Sequence, residues 1–291
     1  MDESMSLMER LDVRYDNFSK GQKRIADFLR NHYDKAAMYT AAKLGKEVGV
    51  SESTVVRFAY ELEYDGYPEL LKAIAATVRT HSNSIQRLEN AALRMEEGDN
   101  LLTSILKDDR MRIKETAQSV DVEMFDKVVD AIVNADNIYI LGVRSTWYLA
   151  GMMGYYFHMI FDQVHVLEGS GNVDTLEEIC RIKKNDIFIG ISFPRYSLRT
   201  ASAMQLAKKN GAKTITITDS MQSPLIEYAD YPLIAKSDVM AIVDSLTAPI
   251  SLINALVVAV CMKKKDDLEA RLHVLEELWN EYKVYDDHVI D

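Results

Sequence analysis

Cysteine is nearly absent: Cys180 and Cys261 are the only two in 291 residues, and both lie in apolar, helix-like stretches. That excludes a disulfide framework and predicts two buried thiols with no catalytic role. Proline and glycine are scarce as well, at 5 and 12 residues, which excludes collagen-like and low-complexity chains and leaves a globular protein rich in helix. Long apolar runs are missing. The longest mostly apolar stretch, Ala248 to Met262, covers 15 residues and contains Ser251 and Asn254; a membrane-spanning helix needs about 20, so this one reads as buried helix. The chain opens Met1-Asp2-Glu3 without a basic segment leading into an apolar one, so no secretory signal is expected and the expected location is the cytoplasm. The six histidines show no HExxH pair and no Cys/His ligand spacing, so neither a metal nor a cofactor is expected.

Positive charge is in deficit, with a net charge of -11, which argues against a uniform polyanion binder. The deficit is uneven. From Asn17 to Thr80, ten Lys/Arg stand against eight Asp/Glu, a net of +2, so the remainder carries -13. A chain of this length suggests two domains at about 150 residues each. Residues 1–80 read as one all-α domain, residues 81–118 as a polar helical linker, and residues 119–291 as an α/β domain.

In the first domain a helical pattern begins at Ser19, a possible N-cap, with Ile25, Phe28 and Leu29 at three- and four-residue spacing. Two short helices follow, Thr40 to Val48 and Ser51 to Leu62, with only Gly49 and Val50 clearly between them; a fourth runs from Tyr67 to Arg79. The joint meets the demands of a helix-turn-helix. Gly49 suits the left-handed residue that ends the first helix, Val50 reads as a buried plug, and Ser51 is an N-cap for the second helix. Val55, Phe58, Ala59 and Leu62 give that helix an inward stripe. Gly45 sits where the two helices cross, where a side chain would hold them apart. With the stripe inward, Ser51, Glu52, Ser53, Thr54 and Arg57 are left at the outer N-terminal end, the part of a recognition helix that meets base edges and phosphates. A small helical domain with polar outer faces accounts for any one of these features; their combined spacing favours DNA binding.

The run "GVSESTVVRFAYELEYDGYPELLKAI", with "RIADFLRNH" upstream, resembles the N-terminal domain of the RpiR/MurR-type bacterial transcriptional regulators and their "GVSxxTVxRFxxxLGFxGYxEL" pattern. It departs from them in Glu63-Tyr64, where the Leu-Gly-Phe context is usual, and in Gly45, where Ala is usual. The resemblance implies operator DNA as a partner.

After a helix pattern from Asp121 to Ala135 the texture changes. Strand-like runs start at Asn137, Gln163, Asp186, Lys213 and Tyr231 and alternate with helix patterns such as Ser145 to Ile160 and Ser197 to Asn210; this predicts a five-stranded parallel sheet covered on both faces. Two helices, Ser245 to Met262 and Asp266 to Tyr282, close the chain. Two strand ends carry hydroxyl-rich turns leading straight into helices: "ILGVRST" with Arg144, Ser145 and Thr146, and "ISFPRYS" with Ser192, Arg195, Tyr196 and Ser197. A helix N-terminus suits a phosphate, and hydroxyls and guanidinium groups add hydrogen bonds to it. With a flavodoxin-like strand order of 2-1-3-4-5, the first and third strands are neighbours and both turns open on the switch point where such sheets bind ligands. Taken singly, each hydroxyl is explained as a helix cap.

The paired turns resemble the phosphosugar-binding loops of sugar isomerase (SIS) domains, which follow the DNA-binding domain in the same family; Pro194-Arg195 replace the middle Ser-Gly of the usual second loop. The resemblance implies a phosphorylated sugar as effector, and a homodimer or homotetramer to match a two-fold operator. Glu168 and Asp244 are further candidates for sugar hydroxyls, though for each the reading as an ordinary loop carboxylate is favoured. Neither turn contains a carboxylate or histidine to act as the base of an aldose–ketose isomerase, so sensing is favoured; an isomerase and a scaffold with an empty pocket are the alternatives.

Overall fold

The computed structural model describes residues 5–81, 84–95, 100–167 and 172–285. In chain order the first elements are the helices α1 Leu7–Arg14, α2 Lys20–Ala36, α3 Ala41–Val48, α4 Glu52–Glu61, α5 Tyr67–His81, α6 Ser84–Met95, α7 Leu101–Ser119 and α8 Val122–Val133. Then follow β1 Ile138–Gly142, α9 Thr146–Ile160, β2 Val164–Leu167, α10 Asn172–Ile179, β3 Ile187–Ile191, α11 Leu198–Lys209, β4 Lys213–Thr218, β5 Tyr231–Ile234, β6 Val239–Met240, β7 Val243–Asp244, α12 Thr247–Lys263 and α13 Lys265–Glu281. Two compact units result. One is Met1–Ile105 with Asp238–Asp244, and the other is Leu106–Ser237 with Ser245–Asp291, so the division falls inside α7.

Among the described residues the regular elements of the first unit are helices apart from the short antiparallel pair β6–β7. Leu11, Ile25, Leu29, Leu44, Phe58, Leu62, Leu70 and Ile74 are fully buried in one core, each contributing about 1.5–3 kcal/mol of apolar burial. Phe58 of α4 meets Phe18 with ring centroids 5.1 Å apart. The Tyr67 hydroxyl donates to the Tyr39 carbonyl at 2.7 Å; burial pushes it up to about 12, which keeps it a donor. α1 lies upstream of the expected helices. It starts from a capping box in which Glu9 N–H donates to Ser6 Oγ and Ser6 N–H donates to Glu9 Oε2.

Glu63 has φ +63°, a left-handed backbone, at the place where the family pattern carries glycine. Its carboxylate pairs with Arg14, and its carbonyl accepts from Arg10 at 3.3 Å. The left-handed conformation costs a side-chain-bearing residue about 1–2 kcal/mol, more than the ~0–1 kcal/mol of an exposed ion pair. Glu63→Gly is therefore expected to stabilise the first unit by about 0.5–1 kcal/mol, read as a raised melting temperature; a lowered one would put the weight on Arg14 instead.

The second unit holds the expected five-stranded parallel sheet, in the order β2-β1-β3-β4-β5. Strand residues alternate between two cores. Ile138, Ile140, Ile187, Ile189, Ile191, Ile215 and Ile217 face α8, α9 and α12, while Tyr139, Leu141 and Phe188 face α10 and α11. Burial on both faces is why β1 and β3 read as unbroken apolar runs. At their amino ends Asp186, 2% exposed, accepts from Asn137 Nδ2 and Lys183 N–H, each at 2.7 Å, and so ties β1 to β3. The apolar stretch read as a buried helix is α12, with Ala248, Leu252, Ile253, Leu256 and Val260 in the core. Among the described residues no single helix is long and apolar enough to cross a membrane.

The cysteines correct one expectation. Cys180 is exposed and Cys261 half-buried. On α10 and the residues after it the inward stripe is Thr175, Ile179 and Ile182, and Cys180 falls one residue off it. The β6–β7 pair, inserted between β5 and α12, was not expected either.

Candidate functional site

Thr40 caps α3 by accepting from Lys43 N–H at 3.2 Å, and Gly49 ends it at φ +70°. The N–H of Val50 then donates to the Gly45 carbonyl at 2.8 Å, so the chain turns back across α3. A Cβ on Gly45 would stand 2.8 Å from Val50 O and 3.3 Å from Glu52 N, and only glycine fits this crossing without movement. Val50 is half-buried against the core. Ser51 caps α4, its Oγ accepting from Thr54 N–H at 3.2 Å and lying 2.9 Å from Ser53 Oγ and 2.8 Å from Thr54 Oγ1. Val55, Phe58 and Ala59 face inward. Ser51, Glu52, Ser53 and Arg57 are exposed and Thr54 is half-buried. The five residues expected to meet DNA therefore share the opening turns of one helix. Arg57 Nε donates to the Ser53 carbonyl at 3.3 Å, which lays the guanidinium along that surface.

In the second unit, β1 and β3 are hydrogen-bonded neighbours whose last pair is Gly142 with Ile191. The turns that follow, Val143 to Ser145 and Ser192 to Ser197, therefore leave adjacent strand ends and lead into α9 and α11. Their hydroxyls differ in what they do. Thr146, 5% exposed, donates to the Val143 carbonyl at 2.9 Å and accepts from Val143 N–H at 2.8 Å, so its hydroxyl closes the turn. Arg144 holds φ +61° and is exposed; Ser145 is half-buried and enters α9 with helical backbone angles and no side-chain cap bond. A Cβ on Gly142 would stand 2.2 Å from Thr146 O, so the close approach of α9 to β1 requires glycine there.

In the second turn Ser192, 3% exposed, accepts from Ser197 N–H at 3.0 Å, and Ser197 Oγ caps α11 by accepting from Thr200 N–H at 3.2 Å. Arg195 is exposed. The Tyr196 hydroxyl donates to Asp219 Oδ1 at 2.8 Å. Asp219, 7% exposed, follows β4 and was not singled out from the sequence; its place after the strand "KTITIT" is the available signal. Thr200 and Thr218, buried on the same side of the sheet, have no hydrogen-bond partner for Oγ1 among the described residues. Glu168 lies outside the described residues. Asp244 ends β7 with its carboxylate 3.5 Å from Arg87 Nη1. Among the described residues no cluster of His, Cys, Asp and Glu fits a metal ion.

Residues 5–81 match the helix-turn-helix domain of the rpiR family, and residues 131–259 match the SIS domain. The chain is 27% identical over 236 residues to an HTH-type transcriptional regulator of Haemophilus influenzae, covering 80% of this chain and 81% of that one. It is 22% identical over 278 residues to the HTH-type transcriptional regulator HexR of Pseudomonas aeruginosa, covering 94% and 95%. Among solved structures, the Vibrio vulnificus NanR protein complexed with ManNAc-6P shares the fold at a TM-score of 0.60 and 18% identity, over 95% of this chain and 99% of that one.

Proposed function

Because this chain belongs to the RpiR-type transcriptional regulators, a helix-turn-helix domain joined to a SIS domain, we propose that α4 reads operator DNA and that a phosphorylated sugar, held by the turns after β1 and β3, alters that binding. In this reading residues 1–80 bind DNA, residues 81–118 link, and residues 119–291 sense. The protein works in the cytoplasm, as a dimer or tetramer that presents paired α4 helices to a two-fold site.

The observation that carries the effector site is the Gly142–Ile191 pairing, which sets two hydroxyl-bearing turns and two helix N-termini at one switch point. Ser145, Ser192, Ser197, Thr146 and Tyr196 form its polar lining, with Arg144 and Arg195 supplying charge. The hydroxyls of Thr200 and Thr218, without a partner among the described residues, lie on the same side of the sheet, and a buried hydroxyl without a partner costs about 1–3 kcal/mol. The relative complexed with ManNAc-6P makes a phosphorylated amino sugar one member of the class to test. The function is sensing, not turnover. Neither turn contains a carboxylate or histidine, and Asp219, which follows the neighbouring strand β4, is engaged by Tyr196.

Duplexes recovered from a random-sequence pool by the full chain provide the DNA probe. A panel of hexose and N-acetylhexosamine phosphates is then scored for release, with the unphosphorylated sugars and inorganic phosphate as controls. At least one sugar phosphate is expected to shift DNA affinity tenfold or more; a panel that neither changes affinity nor raises the melting temperature overturns the effector site. Ser192→Ala with Ser197→Ala should raise the effector concentration for half-release by about 10- to 100-fold or more, since the loss of even one hydrogen bond to a charged group costs about 1.5–3 kcal/mol. The same pair removes one helix cap, so stability falls by about 0.5–2 kcal/mol and DNA binding persists. An unchanged effector response removes these serines from the site.

A further inference from the structure

We propose that the cleft between α2 and α4 seats a phosphate of the DNA backbone, with Arg24 as a ligand. The proposal rests on the reading of α4 as the groove-facing helix and extends the DNA contacts to α2, none of whose residues the sequence reading assigned to DNA. The cleft has a volume of about 470 Å³ and includes Ser19, Gln22, Arg24, Ser51, Arg57 and Glu61 in its lining. Ser19 and Ser51 are the N-caps of α2 and α4, so two helices begin at this one hollow.

Two guanidinium groups reach it. Arg24 is exposed and, among the described residues, neither it nor Arg57 has an ion pair with a carboxylate. Arg24 Nη1 lies 3.1 Å from the point a Cβ on Gly49 would occupy, so the glycine that ends α3 also lets this guanidinium lie over the turn. Against the two cations stands one carboxylate, Glu61. A helix in the major groove brings the elements beside it against the phosphates of the groove wall. A hollow opening beside Ser53 and Arg57 on the same surface, with a surplus positive charge, fits a backbone phosphate better than a base edge.

The test uses the full chain, a duplex selected from a random pool, an unselected duplex of equal length, and binding measured across a salt series. Arg24→Ala should weaken both duplexes by a similar factor of about 5 to 10, and should reduce the slope of log affinity against log salt by about 1, the loss of one phosphate contact. Arg57→Ala should instead weaken the selected duplex more than the unselected one. Glu61→Gln should tighten both by about two- to threefold at low salt. Among the described residues Arg24 has no hydrogen-bonding partner whose loss would disturb the fold, so melting should be unchanged; if it is not, Arg24→Lys, which keeps the charge, decides by retaining the wild-type slope. An Arg24→Ala slope equal to wild type, or a loss confined to the selected duplex, overturns the phosphate seat while leaving α4 as reader. A wild-type chain that binds neither duplex overturns both.

Discussion

Gly142→Ala is expected to destabilise the second unit by about 3 kcal/mol or more and to abolish effector response. The added Cβ would stand 2.2 Å from Thr146 O, 2.6 Å from Thr146 C and 3.1 Å from Trp147 N. These are backbone atoms in the first turn of α9 and cannot rotate away, so α9 must lift from the end of β1. Overpacking of this kind costs about 1–3 kcal/mol, sometimes more. The lift also withdraws the Thr146 hydroxyl from Val143, leaving half-buried backbone groups unpaired at up to about 1–3 kcal/mol. For a unit of this size a loss of 3 kcal/mol lowers the melting temperature by roughly 6–12 °C. Gly151→Ala on the same helix is the matched control. Nothing lies within 4 Å of its Cβ position, and alanine in a helix gains about 0.5–1 kcal/mol over glycine, so this variant should melt at or above wild type with a normal response. A Gly142→Ala protein that melts like wild type would remove the claim that this turn requires glycine.

Gly45→Val is expected to leave the second unit intact and to eliminate measurable DNA binding. A Cβ there meets Val50 O at 2.8 Å and Ser51 C and Glu52 N at 3.3 Å, and valine adds two further carbons. The atoms in the way are the turn and the first residue of α4, so the strain falls on the segment that positions Ser51, Ser53 and Arg57. About 2–3 kcal/mol of stability should be lost from the first unit. The larger effect is on recognition, because displacement of a reading helix breaks several contacts together. Gly45→Ala is milder. It adds one carbon and recovers about 1 kcal/mol of helix propensity, so DNA binding should fall no more than a few-fold. Anisotropy titration of the selected duplex, beside thermal unfolding, separates the variants; tight binding by Gly45→Val would show that the crossing is not what sets α4.

Much of this architecture was legible in the chain. β1, β3 and β4 were readable because each is a run of strand-forming residues buried on both faces, the shorter and half-buried β2 and β5 because they alternate with helix patterns, and the joint at Gly49-Val50-Ser51 because each residue meets a separate local demand. Short elements were harder. α1 has eight residues, too few for a periodic stripe, though Ser6 and Glu9 spell a capping box. The β6–β7 pair turns through Ala241 at φ +55°, with none of the Asn-Gly or Asp-Gly chemistry that announces a hairpin. At the proposed effector turns, the residue types were visible and their employment was not. Ser145 and Thr146 are neighbours of similar chemistry, yet Thr146 bonds its own turn because Gly142 lets α9 come close. Tyr196 and Asp219 meet across 23 residues of sequence, a pairing that no local pattern announces.

The inserted β6–β7 pair has a consequence for how this protein can be taken apart. It leaves the sheet-bearing unit after Ser237 and returns at Ser245, where Ser237 Oγ donates to the Ser245 carbonyl at 2.9 Å and closes the gap. The reading frame therefore interleaves the two units, and a gene cut after codon 105 encodes a first unit lacking its own strand pair, with Arg87 deprived of Asp244. A faithful dissection requires a loop transplant: residues 238–244 excised from one fragment, with a short linker from Ser237 to Ser245, and appended to the other.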